Sequence, residues 1–171
     1  GEIGRPDYWF DDFDAIEVVN GGHSADTVAL YLDLVNRGVV VAAHGVSDSH
    51  GYLSGGPGMN VTYVGLGVDS PDDATPGALV EAILNRRTVV STGPFLRCSI
   101  DPGTEITGSA ELDVEALSPS WIQVSRLSLL MNGEVVETVE GTQAQFTLAP
   151  VSDATYVVIA EGDESMAPVR S

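Results

Sequence analysis

The chain has 171 residues, 43% of them apolar, enough for a sizeable core in one full domain or two small ones. Its 25 acidic residues face only 7 basic ones, all Arg, for a net charge of −18. That balance argues against a grip on nucleic acid or anionic lipid, which needs clustered cations. The acids are interleaved with apolar runs, which also argues against a disordered acidic tail. Cys98 is the single cysteine, so neither a disulfide framework nor a Cys-based zinc finger can form within the chain. The longest apolar run, 39–43, is far short of a membrane span. A soluble chain is expected, with the cytoplasm favoured and no membrane or nucleic-acid partner.

In chain order, residues 14–19 (DAIEVV) read as a buried strand interrupted by Glu17. An unpaired carboxylate is costly to bury, so Glu17 is expected to turn toward a polar rim or to pair with an Arg. Ser24 is a good N-cap, and Val28, Tyr31, Leu32 and Val35 follow at the spacing of an amphipathic helix, closed by Asn36-Arg37-Gly38. Residues 39–43 are a second buried strand, completing a β-α-β unit that implies a parallel sheet. After a Gly-rich loop comes a strand at 61–66. Thr75-Pro76 then starts a helix whose apolar face is Leu79, Val80, Ile83 and Leu84, and residues 88–91 form another strand.

Beyond Pro94 the rhythm changes to short alternating strands. In ELDVEAL, Leu112, Val114 and Ala116 alternate with Glu111, Asp113 and Glu115. RLSLLMNGEVVETV reads as a hairpin around Asn132-Gly133, and AQFTLAP and TYVVIAE add two strands. Five or six antiparallel strands in this span form a small β-sandwich pattern. The chain is expected to divide into an α/β part at 1–94 and a β-sandwich at 95–171.

The most informative cluster is AAHGVSDSHG, residues 42–51, where the second strand runs out. On extended backbone Asp48 and His50 share a face, at the strand end where parallel α/β folds place their sites. A carboxylate beside an imidazole suits Zn²⁺, Mn²⁺ or Fe²⁺. Asp, Ser, His and Gly are also turn formers, so by spacing alone a turn explains the segment better than a metal does. His23 reads as a loop histidine beside an N-cap, on the same rim, where it could supply a further ligand. His44 reads as a satisfied interior histidine. Asn60-Val61-Thr62 matches a glycosylation acceptor, and Trp9 and Trp121 read as packing residues. There is no nucleophile elbow, and GGPG at 55–58 lacks the helix context and Lys of a phosphate loop.

Taken together, FDAIEVVNG, a helix ending NRG, VVVAAHGVSDSHG and ALVEAILNRRTVVSTGP resemble the C-terminal half of a PHP (polymerase and histidinol phosphatase) superfamily metallohydrolase. The closer likeness is to the branch of metal-dependent phosphoesterases and carbaryl-esterase-like hydrolases. NGEVV and VIAEGDESMAPV resemble the β-sandwich appended in that branch. The resemblance implies an α/β segment of a distorted β/α barrel followed by that sandwich. It implies Asp48 and His50 as metal ligands, with His23 as a weaker match to a further one. It also implies hydrolysis of a small phosphoester or related ester with a divalent metal, Zn, Mn or Fe.

The family's opening His-x-His motif does not occur in this sequence. The chain therefore reads as a C-terminal fragment that supplies part of a metal site and is inactive alone. Self-association or pairing with a missing N-terminal half is the expected consequence, since a cut barrel leaves strand edges open. The alternative is a non-catalytic binding or structural module on a degenerate scaffold of this kind.

Overall fold

The computed structural model describes residues 12–21, 25–39, 41–51 and 58–163. Strand β1 (Ala15–Asn20) leads into helix α1 (Ala25–Asn36), and β2 (Ala42–Val46) returns parallel to β1. Apolar residues of α1 make this unit close: Leu34 and Val35 are buried, and Val18 of β1 is buried with them. The helix stops where the chain turns left-handed at Gly38. Gly38 N–H donates to Val35 O and Val39 N–H to Leu34 O, satisfying carbonyls that the helix leaves unpaired. Arg37 adds an ion pair to Asp33, one turn back.

Next, β3 (Val61–Val64) is followed by a 3₁₀ turn (Pro71–Asp73), helix α2 (Pro76–Leu84) and β4 (Thr88–Ser91). Thr75 caps α2, its hydroxyl accepting from Ala78 N–H at 3.1 Å, with Pro76 in the first turn. The two strands pair antiparallel, Val61 opposite Ser91 and Val64 opposite Thr88. The apolar face expected of α2 is not its buried face. Ala82 is its buried residue, whereas Leu79, Val80 and Leu84 are exposed. The small Ala side lets this short helix lie close, and the larger side chains are left facing outward.

These elements overturn the expected α/β barrel segment. Among the described residues the fold is mainly β, with ten strands against two α-helices, and no sheet exceeds three strands. Only β1 and β2 pair in parallel there. A β/α barrel needs each new strand to join its predecessor through a parallel backbone ladder. Here β3 joins β4 antiparallel instead, and its link to β2 runs through side chains described below. The first unit is therefore two small pairs, not an arc of a barrel.

The remaining strands are β5 (Phe95–Cys98), β6 (Ala110–Leu117), β7 (Arg126–Met131), β8 (Glu134–Glu140), β9 (Gln143–Leu148) and β10 (Tyr156–Glu161). They form two antiparallel three-stranded sheets, ordered β5-β6-β9 and β10-β7-β8. Strand alternation decides the packing. Leu112, Val114 and Ala116 of β6 point inward with Phe146 and Leu148 of β9, against Leu127 and Leu129 of β7. Phe146 and Leu127 are completely buried, and each such side chain contributes about 1.5–3 kcal/mol. On the outer face of β6, Glu111, Asp113 and Glu115 accept hydrogen bonds from Thr147, Gln145 and Gln143 of β9.

The β7–β8 turn has both Asn132 (φ 52°) and Gly133 (φ 84°) left-handed, as a two-residue hairpin turn of the primed type requires. A Cβ at Gly133 would lie 3.3 Å from Leu32 O, so α1 rests against this turn. Tyr63 of β3 meets Phe95 of β5 edge to face, with ring centroids 4.8 Å apart. Trp121 does not pack as expected: it is 81% exposed, in a turn outside the core. Trp9 lies outside the described residues. Among those described, no helix is long and apolar enough to cross a membrane.

Candidate functional site

The C-terminal ends of β1 and β2 form one rim. Strand β2 ends at Val46, and residues 47–50 continue as an irregular loop. Extended alternation is therefore not what brings Asp48 and His50 together. Asp48 is left-handed (φ 47°), a conformation that Asp tolerates better than most residues. This bend turns its carboxylate toward the imidazole, and Asp48 Oδ1 lies 2.9 Å from His50 Nε2. Both side chains are solvent-exposed, 53% and 79%.

The separation tests whether the pair could hold one ion. Two donors 2.9 Å apart, each about 2.1 Å from a shared metal, subtend about 90°, the angle of an octahedral corner. A tetrahedral zinc asks for about 3.4 Å, a spreading of about 0.5 Å that exposed side chains permit. The pair thus fits as two adjacent ligands once an incoming ion displaces the proton that Nε2 donates to Oδ1. A catalytic centre holds at least three protein ligands, and among the described residues no group of three or more His, Cys, Asp or Glu comes together. His23, the further ligand candidate, lies outside the described residues.

The other polar residues of β1 and β2 are placed as follows. Among the described residues Glu17 finds no Arg: it turns outward, and its Oε2 accepts from Asn20 Nδ2 at 2.7 Å. An irregularity in the β1 register between Glu17 and Val19 accompanies this contact. All five described arginines are paired with acids elsewhere: Arg37, Arg86, Arg87, Arg97 and Arg126. His44 pairs in register with Glu17 across the parallel strands. It is not the satisfied interior histidine the sequence suggests, because its Nε2 is buried without a hydrogen-bond partner among the described residues.

Two residues that the sequence presents as a glycosylation acceptor have a structural task. Asn60 is buried, 7% exposed, and its Nδ2 donates to Gly21 O at 2.8 Å and to Val46 O at 3.1 Å. Thr62 Oγ1 accepts from Gly45 N–H at 2.9 Å and donates to Gly45 O at 3.0 Å. Side chains of β3 and of Asn60 just before it thus satisfy backbone groups of β2 that a strand ladder would otherwise satisfy. Gly45 makes this approach possible, because a Cβ there would stand 2.6 Å from Val90 Cγ1 and 3.0 Å from Val61 O. A glycan on that amide would displace hydrogen bonds that hold this fold together.

No signal in the sequence separates this use of Asn60 from an exposed acceptor. The distinction depends on which carbonyls lie within its reach, and those come from residues 39 and 14 positions away.

No protein-family model, no curated protein and no solved structure matches this chain.

Proposed function

We propose that Asp48 and His50 form one corner of a divalent-metal centre in a PHP-type hydrolase of phosphoester or related ester bonds. The remaining ligands come from outside the described residues. The observation that carries this reading is the 2.9 Å approach of Asp48 Oδ1 to His50 Nε2 on an exposed loop at the C-terminal end of a parallel strand pair. The likeness of AAHGVSDSHG to the PHP ligand motif supports it. Asp48 contributes charge and His50 a neutral nitrogen donor, and their exposure leaves room for further ligands and a substrate. A divalent ion (Zn²⁺, Mn²⁺ or Fe²⁺) held there supplies Lewis acidity and activates water near neutral pH.

The surplus of acids, −18 over the chain, favours a cation and disfavours an anionic phosphoester. Substrate capture therefore depends on charge that the ion and other groups provide. With two ligands the chain by itself binds metal weakly and does not turn over.

The test is a Mn²⁺ titration of the full chain followed by NMR line broadening, with a generic phosphodiester assay beside it. Broadening is expected at the His50 ring and around Asp48 before other sites, and Asp48→Ala abolishes that preference. Broadening spread evenly over the acidic surface overturns the reading. Turnover by the wild-type chain that Asp48→Ala leaves unchanged overturns it too.

A second reading, a non-catalytic module, is favoured by the absence of a third ligand among the described residues. In it Asp48 and His50 only close a turn, and Mn²⁺ shows no preference for them.

A further inference from the structure

We infer that Asn60 is the positioning residue for the Asp48–His50 loop, an inference that rests on the reading of that pair as metal ligands. Its amide is the point at which β3 reaches the rim. One hydrogen bond holds Gly21 O, just past the end of β1, and the other holds Val46 O, two residues before Asp48. Val46 O also accepts from Gly21 N–H at 3.1 Å, so three segments meet on one carbonyl. Beyond Val46 the chain leaves the strand and takes the left-handed bend at Asp48. The direction of that exit is set by the last fixed peptide, which Gly21 N–H and Asn60 hold together, Asn60 also tying it to Gly21 O.

Thr62 provides an internal comparison. It also bridges β3 to β2 with two hydrogen bonds, but at Gly45, one peptide deeper in the strand. Loss of either side chain loosens the same pair of strands. Only loss of Asn60 takes a hydrogen bond from the carbonyl at which the ligand loop departs, leaving it held by Gly21 N–H alone. Outer-shell groups of this kind typically change metal affinity by about 10- to 100-fold when removed.

The experiment compares the full-length wild type with Asn60→Ala and Thr62→Val. Asn60→Leu, which nearly keeps the volume and loses the amide donors without burying a charge, serves where Asn60→Ala does not fold. Two measurements are made on each. The first is the His50 ring ¹⁵N shift pattern without metal at about pH 8, where an ordinary imidazole is neutral. It reports the hydrogen bond to Asp48. The second is the Mn²⁺ concentration that half-broadens the His50 ring.

Asn60 variants are expected to shift the ring pattern to that of a free histidine and to raise the Mn²⁺ midpoint at least about tenfold. Thr62→Val is expected to keep the wild-type pattern and to stay within about twofold of its midpoint. Asn60 variants that retain the wild-type ring pattern overturn the positioning role, as does a Thr62→Val effect equal to theirs. A wild type that shows no preferential broadening at His50 overturns the metal reading instead, and the ring shifts still decide the role of Asn60.

Discussion

Replacing Gly45 by Ala tests the close approach of β2 to its neighbours, on which the geometry of the rim depends. The added methyl carbon would stand 2.6 Å from Val90 Cγ1 and 3.0 Å from Val61 O. Ordinary carbon contacts lie at about 3.5–4.0 Å, so something must yield by about 1 Å. Val90 is β-branched and stiff about its first side-chain torsion, and Val61 O belongs to the backbone, so neither retreats easily. Overpacking of this kind costs about 1–3 kcal/mol, and with two obstacles the upper part of that range applies. Ala also narrows the unfolded ensemble relative to Gly, which returns about 0.4–1 kcal/mol.

The expected net loss is therefore about 2 kcal/mol. In urea unfolding with a slope near 2 kcal/mol per M, this lowers the midpoint by about 1 M. Val90→Ala removes the obstructing methyl, so the double variant should be more stable than the sum of the single changes by about 1 kcal/mol or more. A Gly45→Ala protein within about 0.5 kcal/mol of the wild type would refute the reasoning, as would strict additivity in the cycle.

Two further predictions concern the sandwich. The Glu115 carboxyl is held below its ordinary value of 4.5 by the hydrogen bond from Gln143 and then by Arg97, against a smaller opposing effect of desolvation. A depressed folded value means that this contribution is present above about pH 4.5 and is lost as the pH falls through the folded value. Glu115→Gln should therefore flatten the pH dependence of thermal unfolding below about pH 4.5, and an unchanged dependence would contradict this. The Cys98 thiol is pushed up by burial and, to a lesser degree, by Asp101. It should react with a disulfide reagent more slowly in the native chain than in the unfolded chain at about pH 8; equal rates would contradict this.

Strand and helix positions were legible wherever one residue type answers one local demand. Thr75-Pro76 opens α2, residues 88–91 form β4, and Asn132-Gly133 makes the hairpin turn because each is a short-range device. The alternation of Leu112, Val114 and Ala116 with acids likewise gives β6 its two faces without reference to any other strand. Pattern failed where it was extended to partners. Leu79, Val80 and Leu84 repeat at helical spacing, yet the helix buries Ala82, since periodicity defines a face and not what covers it. The β-α-β rhythm at the start suggested a continuing parallel sheet, but the next pair closed on itself antiparallel.

The candidate site divides in the same way. Composition and spacing pick out Asp48 and His50 as an acid and an imidazole two residues apart at a strand end, but spacing alone does not separate a ligand pair from a turn. Their meeting at 2.9 Å comes instead from a single left-handed residue, where alternation along a strand had been the expected cause.

What the sequence determined by itself was the local inventory: the acid surplus, the turn residues, the alternating strands and the Asp-Ser-His group. The tertiary structure alone decided that Asn60 and Thr62 clamp β2, that His44 Nε2 is enclosed without a partner among the described residues, and that Glu17 answers to Asn20. A hydrogen bond acts over about 3 Å, while the groups that make it can lie tens of residues apart along the chain. Only the folded path of the backbone says which of them arrive together.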